Sequence, residues 1–434
     1  MKKVLVLSSS DIHGASEAAY RISKFAMDAG FDVRMLVEKK TRADEFIIQQ
    51  SPEILTGVNR LLAIPGKILK RLKINRAGKA FNPKTHPKYI FFAEEKIKYI
   101  SGQRVLDIIN FTPDLIIACL TYNLINTQTL LELKQLTNAR ILIVTMDMIP
   151  LTGGCHYAWD CTGYQVDCKN CPAIIDDKYK DWAHQDLMIK HKNIKAAGIE
   201  ILAASGWTLQ QSKASFLFKD QKKIFNINSM IDTTLFNNAN RNAAKNIFGI
   251  PANLKTIFII GGLTDVRKGM IYAIEAINLV WHKIDPDLRD DICVLTVKKE
   301  VDIESATSEN LLFKTHYIDY VKDYRLLSLV YQAADVFLSP SIEDSGPMMV
   351  SEALACGTPV VAFEMGVASN MVINGYNGFK AELKNSEQLA EGLEKVLTLS
   401  DEDFKQFSDN AVLQVEQFSS QKTVVEVLNE LLPN

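Results

Sequence analysis

LSPSIEDSGPMMVSEALACGTPVVAF, residues 338 to 363, decides the fold. An apolar run ends at Pro340, and a polar loop follows with Glu343, Asp344 and Ser345. Gly346-Pro347 then opens a short helix, with proline near the first turn, where its missing N–H costs nothing. Gly357 closes that helix, and Pro359 leads into a second apolar run, Val360-Val361-Ala362. Strand, acidic loop, helix and strand in succession make one turn of a parallel α/β sheet. The free backbone N–H groups at such a helix start attract a diphosphate. Glu352, inside the helix, has the reach to accept two hydrogen bonds from a ribose diol, and Asp344, ahead of it, to hold sugar hydroxyls. Either acid alone would pass for a helix cap or a solvated side chain, but the whole segment is not explained that way.

Working outward, the same cycle recurs twice. Val4-Leu5-Val6-Leu7 reads as a buried strand, and Ser8 to Gly14 as a loop of small residues. Ala15, Ala18, Ala19, Ile22 and Phe25 follow at helical spacing, Gly30 stops the helix, and Val33 to Val37 is the next strand. Leu115 to Ala118, Ile141 to Val144 and Ile201 to Ala204 continue the series. It restarts at Thr256 to Ile260, followed by Gly261-Gly262, a helix after Lys268-Gly269, and strands at Cys293 to Val297, Val336 to Leu338 and Pro359 to Ala362. Unbroken apolar runs are covered on both faces, which means parallel sheets with helices on both sides. The 434 residues suit two domains better than one core. The expected architecture is therefore α/β, with two doubly wound, Rossmann-like domains facing a cleft. Ligands in such sheets bind beyond the carboxyl ends of the strands, at the switch point. The boundaries are expected at 1–235, 236–415 and a final helix over 416–434 that crosses back to the first domain. The polar, Asn-rich stretch Ser229 to Asn253 reads as the linker.

Composition narrows the function. A formal net charge of −2 gives no argument for nucleic acid. No stretch has the roughly 18 uncharged apolar residues of a membrane span, and the N-terminal apolar run is too short for a signal peptide. A cytoplasmic protein is expected, with its seven cysteines as thiols or metal ligands.

PSIEDSGPMMVSEALACGTPVVAF resembles the acidic E-x7-E signature of the retaining family 4 (group 1) glycosyltransferases of the GT-B fold. Aligned from Pro340, its two acidic positions fall on Asp344 and Glu352. The resemblance implies that Glu352 binds the donor ribose and that Asp344, or its neighbour Glu343, touches the donor sugar. Ser345-Gly346-Pro347 replaces the usual glycine-phenylalanine-glycine run, as in an exopolysaccharide-biosynthesis subgroup. Gly261 to Gly269 is similar to the family's loop after the first strand of the C-terminal domain, and Lys268 matches the lysine that neutralises the departing diphosphate. The family's arginine falls on Leu263, with Arg267 as a substitute. The donor-binding set implied is Glu343, Arg267, Gly262, Gly346, Pro347, Met348 and Met349, with Asp344, Glu352 and Lys268 as the catalytic residues. Gly14, His13 and Asp147 are the acceptor or phosphate-loop candidates; the family's histidine one position before Asp147 is Met146 here. Ser229 to Phe236 and Phe418-Ser419 resemble the family's linker and C-terminal motifs.

Two insertions stand apart. Cys155, Cys161, Cys168 and Cys171 have the spacing C-x5-C-x6-C-x2-C within the loop 152–173. In a reduced compartment this reads as a structural zinc site, with His156 as an alternative ligand, or as four packed thiols. Residues 54–93 hold Arg60, Lys67, Lys70, Arg71, Lys73, Arg76, Lys79, Lys84 and Lys88, with no acid, interleaved with leucine and isoleucine. Such a segment either lies on an anionic membrane surface or packs as a solvated helix on its own domain.

The expected activity is transfer of a sugar, with retention, from a nucleotide diphosphate sugar to a saccharide or lipid-linked saccharide acceptor in cell-surface polysaccharide synthesis. No D-x-D motif stands in a suitable loop, so no catalytic divalent metal is expected. A non-hydrolysing nucleotide-sugar epimerase and a catalytically silent sugar-binding protein share the architecture; turnover of donor without acceptor would mark the first, binding without turnover the second.

Overall fold

The computed structural model describes residues 1–12, 14–50, 83–97, 99–260, 265–297, 310–319, 321–346 and 348–432. Two compact units emerge. One is Met1–Leu202 with Gln211–Phe225 and Leu428–Asn434; the other is Ala203–Gln210 with Asn226–Val427.

The first sheet comprises β1 (Lys3–Ser10), β2 (Asp32–Lys39), β3 (Ile47–Gln49), β4 (Leu115–Leu120), β5 (Arg140–Val144), β6 (Glu200–Ala203) and β7 (Phe225–Asn226), ordered β3-β2-β1-β4-β5-β6-β7. The pairs from β3 through β6 are parallel. Val4, Leu5, Val6 and Leu7 are fully buried, as a strand covered on both faces requires. Helix α1 (Gly14–Asp28) buries Ala18, Ala19, Ile22 and Phe25, the face that its 3.6-residue period marks out. Helices α2 (Gly102–Ile109), α3 (Thr127–Thr137) and α4 (Trp182–Ala197) follow between later strands. The strand order reverses between β1 and β4.

The second sheet comprises β8 (Lys255–Ile259), β9 (Ile292–Val297), β10 (Lys314–Ile318), β11 (Val336–Ser339), β12 (Val360–Phe363) and β13 (Gly378–Ala381), ordered β10-β9-β8-β11-β12-β13. All five pairs are parallel. Helices α5 (Gly206–Ala214), α6 (Arg241–Ile247), α7 (Met270–Lys283), α8 (Tyr324–Ala333) and α9 (Met348–Ala355) come next in chain order. The order reverses between β8 and β11, so the loops leaving these two strands meet at the switch point. The core here is aromatic: the Phe258 ring lies 5.4 Å from Tyr331 and 5.5 Å from Phe337.

The stretch expected as a linker, Ser229 to Asn253, is instead part of the second unit. Ile231, Phe236, Ala244 and Ile250 are buried in its core, and α6 forms within it. The asparagines that suggested a linker separate these four apolar anchors.

Among the described residues, no helix is long and apolar enough to cross a membrane.

Candidate functional site

The candidate residues form two sets, one in each unit. In the second unit, the acidic loop leaves β11 and runs into α9. It is not a solvated cap: Glu343, Asp344 and Ser345 are 7, 5 and 3% exposed. A buried carboxylate needs a partner, and Asp344 has two. One oxygen accepts from the Gly346 N–H at 3.3 Å, and the other forms an ion pair with Lys268 Nζ. Lys268 closes a single turn, Val266–Lys268, whose cap Asp265 accepts the Arg267 N–H at 3.0 Å. The Arg267 guanidinium pairs with Asp265 of its own turn, while its backbone carbonyl accepts the Ile342 N–H at 2.8 Å. The turn after β8 is thus fastened to the loop after β11 by a backbone bond and by an ion pair. Gly269, with φ +64°, completes the joint: a Cβ there would lie 2.0 Å from the Pro340 carbonyl oxygen.

Glu352 is 3% exposed and accepts from the Tyr331 hydroxyl at 3.1 Å. Met348 and Met349 are half-buried in the first turn of α9. Gly357 ends the helix with φ +68°, as its place in the sequence required. Gly262 and Pro347 lie outside the described residues, as does Leu263.

In the first unit, Gly14 opens α1 with φ +49° and open space around its missing side chain. His13 lies outside the described residues. Asp147, 3% exposed, follows β5; its Oδ1 accepts from the Ile149 N–H at 2.8 Å, and its Oδ2 is 3.1 Å from His156 Nδ1. Met146 is buried beside it. A histidine therefore does meet Asp147, delivered by the cysteine-rich loop rather than by β5. Sequence reasoning missed this pairing because the two residues are nine apart in irregular chain. A carboxylate at Nδ1 favours the Nδ1–H tautomer and leaves Nε2 as an acceptor.

The cysteine-rich loop is packed. Cys155 and Cys171 share a hydrogen bond, which holds the Cys171 thiol down to about 7 and pushes Cys155 up. Burial pushes Cys168 up to about 12. The Cys161 sulfur accepts the Gly163 N–H at 3.4 Å. Among the described residues, no group of three or more His, Cys, Asp or Glu side chains is arranged to hold a metal ion.

Of the basic insertion, residues 54–82 lie outside the described residues. Its far end packs against the cysteine-rich loop through bridges Thr85–Ile174 and Phe91–Cys155. Lys88 pairs with Asp160 at 2.6 Å, its ammonium 5.2 Å from the Trp159 ring.

Two parallel sheets in this arrangement define the GT-B fold, and solved structures agree. Sucrose-phosphate synthase from Thermosynechococcus elongatus superposes with a TM-score of 0.62, at 16% identity over 99% of this chain and 98% of that one. Anabaena Alr3699/HepE, solved in complex with UDP and glucose, gives 0.59 at 15% identity over 100% and 99%. Residues 240–414 match the family of glycosyl transferases group 1, so the segment carrying Lys268, Asp344 and Glu352 is a domain of that family. A D-inositol 3-phosphate glycosyltransferase from Corynebacterium diphtheriae is 29% identical over 164 residues, 36% of this chain and 38% of that protein. An uncharacterized glycosyltransferase from Haemophilus influenzae is 27% identical over 180 residues, 40% and 47% of the two chains. The matched part is less than half the length of these relatives.

Proposed function

We propose that the protein is a retaining glycosyltransferase that moves a sugar from a nucleotide diphosphate donor to a saccharide or lipid-linked saccharide acceptor, in the synthesis of a cell-surface polysaccharide. One observation carries this reading: Lys268 pairs with Asp344 at the switch point of the second sheet, and both lie, with Glu352, within the stretch matching glycosyl transferases group 1. The HepE structure, which holds UDP and glucose, supports a nucleotide sugar as donor. Glu352 takes the ribose diol, and Asp344 the hydroxyls of the transferred sugar. Without donor, Lys268 neutralises Asp344. With donor it turns to the diphosphate, where negative charge grows as the bond to the anomeric carbon breaks, and the N–H groups at the start of α9 share that charge. The acceptor oxygen bonds to the same face of that carbon, and its proton passes to the leaving phosphate oxygen. This scheme uses no protein nucleophile.

Incubation with a panel of UDP- and GDP-sugars, with and without lipid-linked and free saccharide acceptors, tests the reading. Acceptor-dependent transfer with the anomeric configuration kept supports it. Epimerised donor without acceptor would identify an epimerase, and binding without turnover a silent sugar-binding protein. Glu352→Ala should abolish measurable transfer in a protein that still melts cooperatively; near-normal turnover would remove Glu352 from the site. A structural zinc on the four cysteines is supported by their spacing alone, and elemental analysis of the purified protein decides it.

A further inference from the structure

A second site lies wholly within the first unit. A hollow open to solvent lies beyond the carboxyl ends of β4 and β5 and is walled by α3 and α4. Its apolar wall includes Ile125, Ile143, Ile149 and Ile194. Tyr122, at its edge, is backed by the Phe92 ring at 5.8 Å. Its polar groups are Glu94, Glu95, Asp147 and Lys190.

Most of their hydrogen-bonding capacity is already used. Asp147 is held by Ile149 and His156. Glu95 accepts from the Thr127 hydroxyl at 2.6 Å. Lys190, 4% exposed, gives two of its three hydrogens to the carbonyls of Ile149 and Thr152, at 2.7 and 3.0 Å. Glu94, 6% exposed, accepts from Tyr99 at 2.5 Å through Oε2, and its Oε1 has no hydrogen bond among the described residues. The hollow therefore offers one carboxylate acceptor and one ammonium hydrogen beside an apolar wall. Hydroxyls, which both donate and accept, suit the two groups. A phosphate would meet three carboxylates for one ammonium, in a setting of reduced dielectric.

We propose that this hollow is the acceptor subsite, that it takes an uncharged sugar ring through hydroxyls bonded to Glu94 and Lys190 and a C–H face laid on the apolar wall, and that its carboxylates exclude phosphorylated acceptors. Burial raises the Glu94 and Glu95 carboxyls above the usual range, as their seclusion from water demands. The assignment of the ring as acceptor rests on the glycosyltransferase reading; the preference for an uncharged ring does not.

Saturation-transfer NMR on the full chain tests it with methyl α-glucoside, methyl α-galactoside and methyl α-mannoside, and with the 6-phosphates of the same sugars. At least one uncharged glycoside should show saturation transfer and its 6-phosphate none. Glu94→Gln should weaken that binding by roughly tenfold, the usual effect of losing a charged partner to a hydrogen bond. The proposal is overturned if no uncharged glycoside binds, if the phosphate binds equally well, or if a folded Glu94→Gln protein binds unchanged. Should that variant not fold, the wild-type contrast between glycoside and phosphate still decides. Thermal shift with UDP- and GDP-sugars, run in parallel, keeps the two readings apart: failure of every nucleotide sugar to bind overturns the transferase reading and leaves the NMR result to judge the hollow.

Discussion

At the scale of single residues, the ion pair between Lys268 and Asp344 has the most to say about turnover. In the proposed mechanism its ammonium turns to the diphosphate as charge develops there, and losing one such contact typically costs on the order of 100- to 1,000-fold in rate. Lys268→Ala should show that loss in kcat as well as in kcat/KM. A rise in KM alone would make Lys268 a uniform-binding residue. Asp186 makes a different point, about stability. It is fully buried, neither carboxylate oxygen accepts a hydrogen bond among the described residues, and Lys96 Nζ stands 3.6 Å away, beyond hydrogen-bonding reach. Burial raises its pKa from 3.8 to about 7. The folded state then holds this proton more tightly than the unfolded chain does, so the group weakens the fold as pH rises from about 4 to 7, with the full penalty above that window. Asp186→Asn should therefore raise the Tm at pH 8 and change it little at pH 4. A variant that melts lower at pH 8 than the wild type would show the pair with Lys96 to be a net stabiliser.

At the scale of elements, the turn after β8 and the acidic loop after β11 are joined at a glycine. Gly269 has φ +64°, and any Cβ would strike the Pro340 carbonyl at the start of the acidic loop. Gly269→Ala thus adds left-handed strain, about 1 to 3 kcal/mol, and pushes the acidic loop off Lys268. It should lower the Tm and weaken binding of UDP-sugars together. Normal donor affinity with only a lower Tm would mean that the loop tolerates the shift. Much of this element structure was legible beforehand. Val4–Leu7, Met35–Val37 and Val360–Ala362 are buried on both faces, and a run of apolar residues is the direct trace of that. β10 was not legible, because KTHYI is an edge strand with mixed exposure, and β3 was not, because three residues carry no period. The acidic loop was readable because its chemistry is local in sequence: Asp344 and Glu352 share one strand-loop-helix passage. The hollow at Glu94 was not. Its walls come from α3, α4, β5 and a short turn over Glu94–Lys96, and no spacing relates them.

At the scale of the whole molecule, charge is unevenly spread. The chain as a whole carries −2, yet residues 54–93 hold nine basic side chains before the first acid, Glu94. Lys88 is spoken for by Asp160 and by the Trp159 ring, so the described end of this segment belongs to its own unit. The stretch with Lys67, Lys70, Arg71 and Lys73, interleaved with Ile68, Leu69 and Leu72, lies outside the described residues, and its sequence alone argues for a surface role. Each cation near an anionic bilayer is worth roughly 1 kcal/mol, and salt screens it. Four of them with a few inserted leucines would give reversible attachment, suited to an acceptor that sits on a lipid carrier. Co-sedimentation with vesicles containing phosphatidylglycerol should therefore capture the protein at low salt and release it at high salt. Replacing Lys67, Lys70, Arg71 and Lys73 with Glu should abolish capture while leaving binding of UDP-sugars unchanged. Unchanged capture of that variant, or no capture of the wild type, would assign the segment to packing on its own domain.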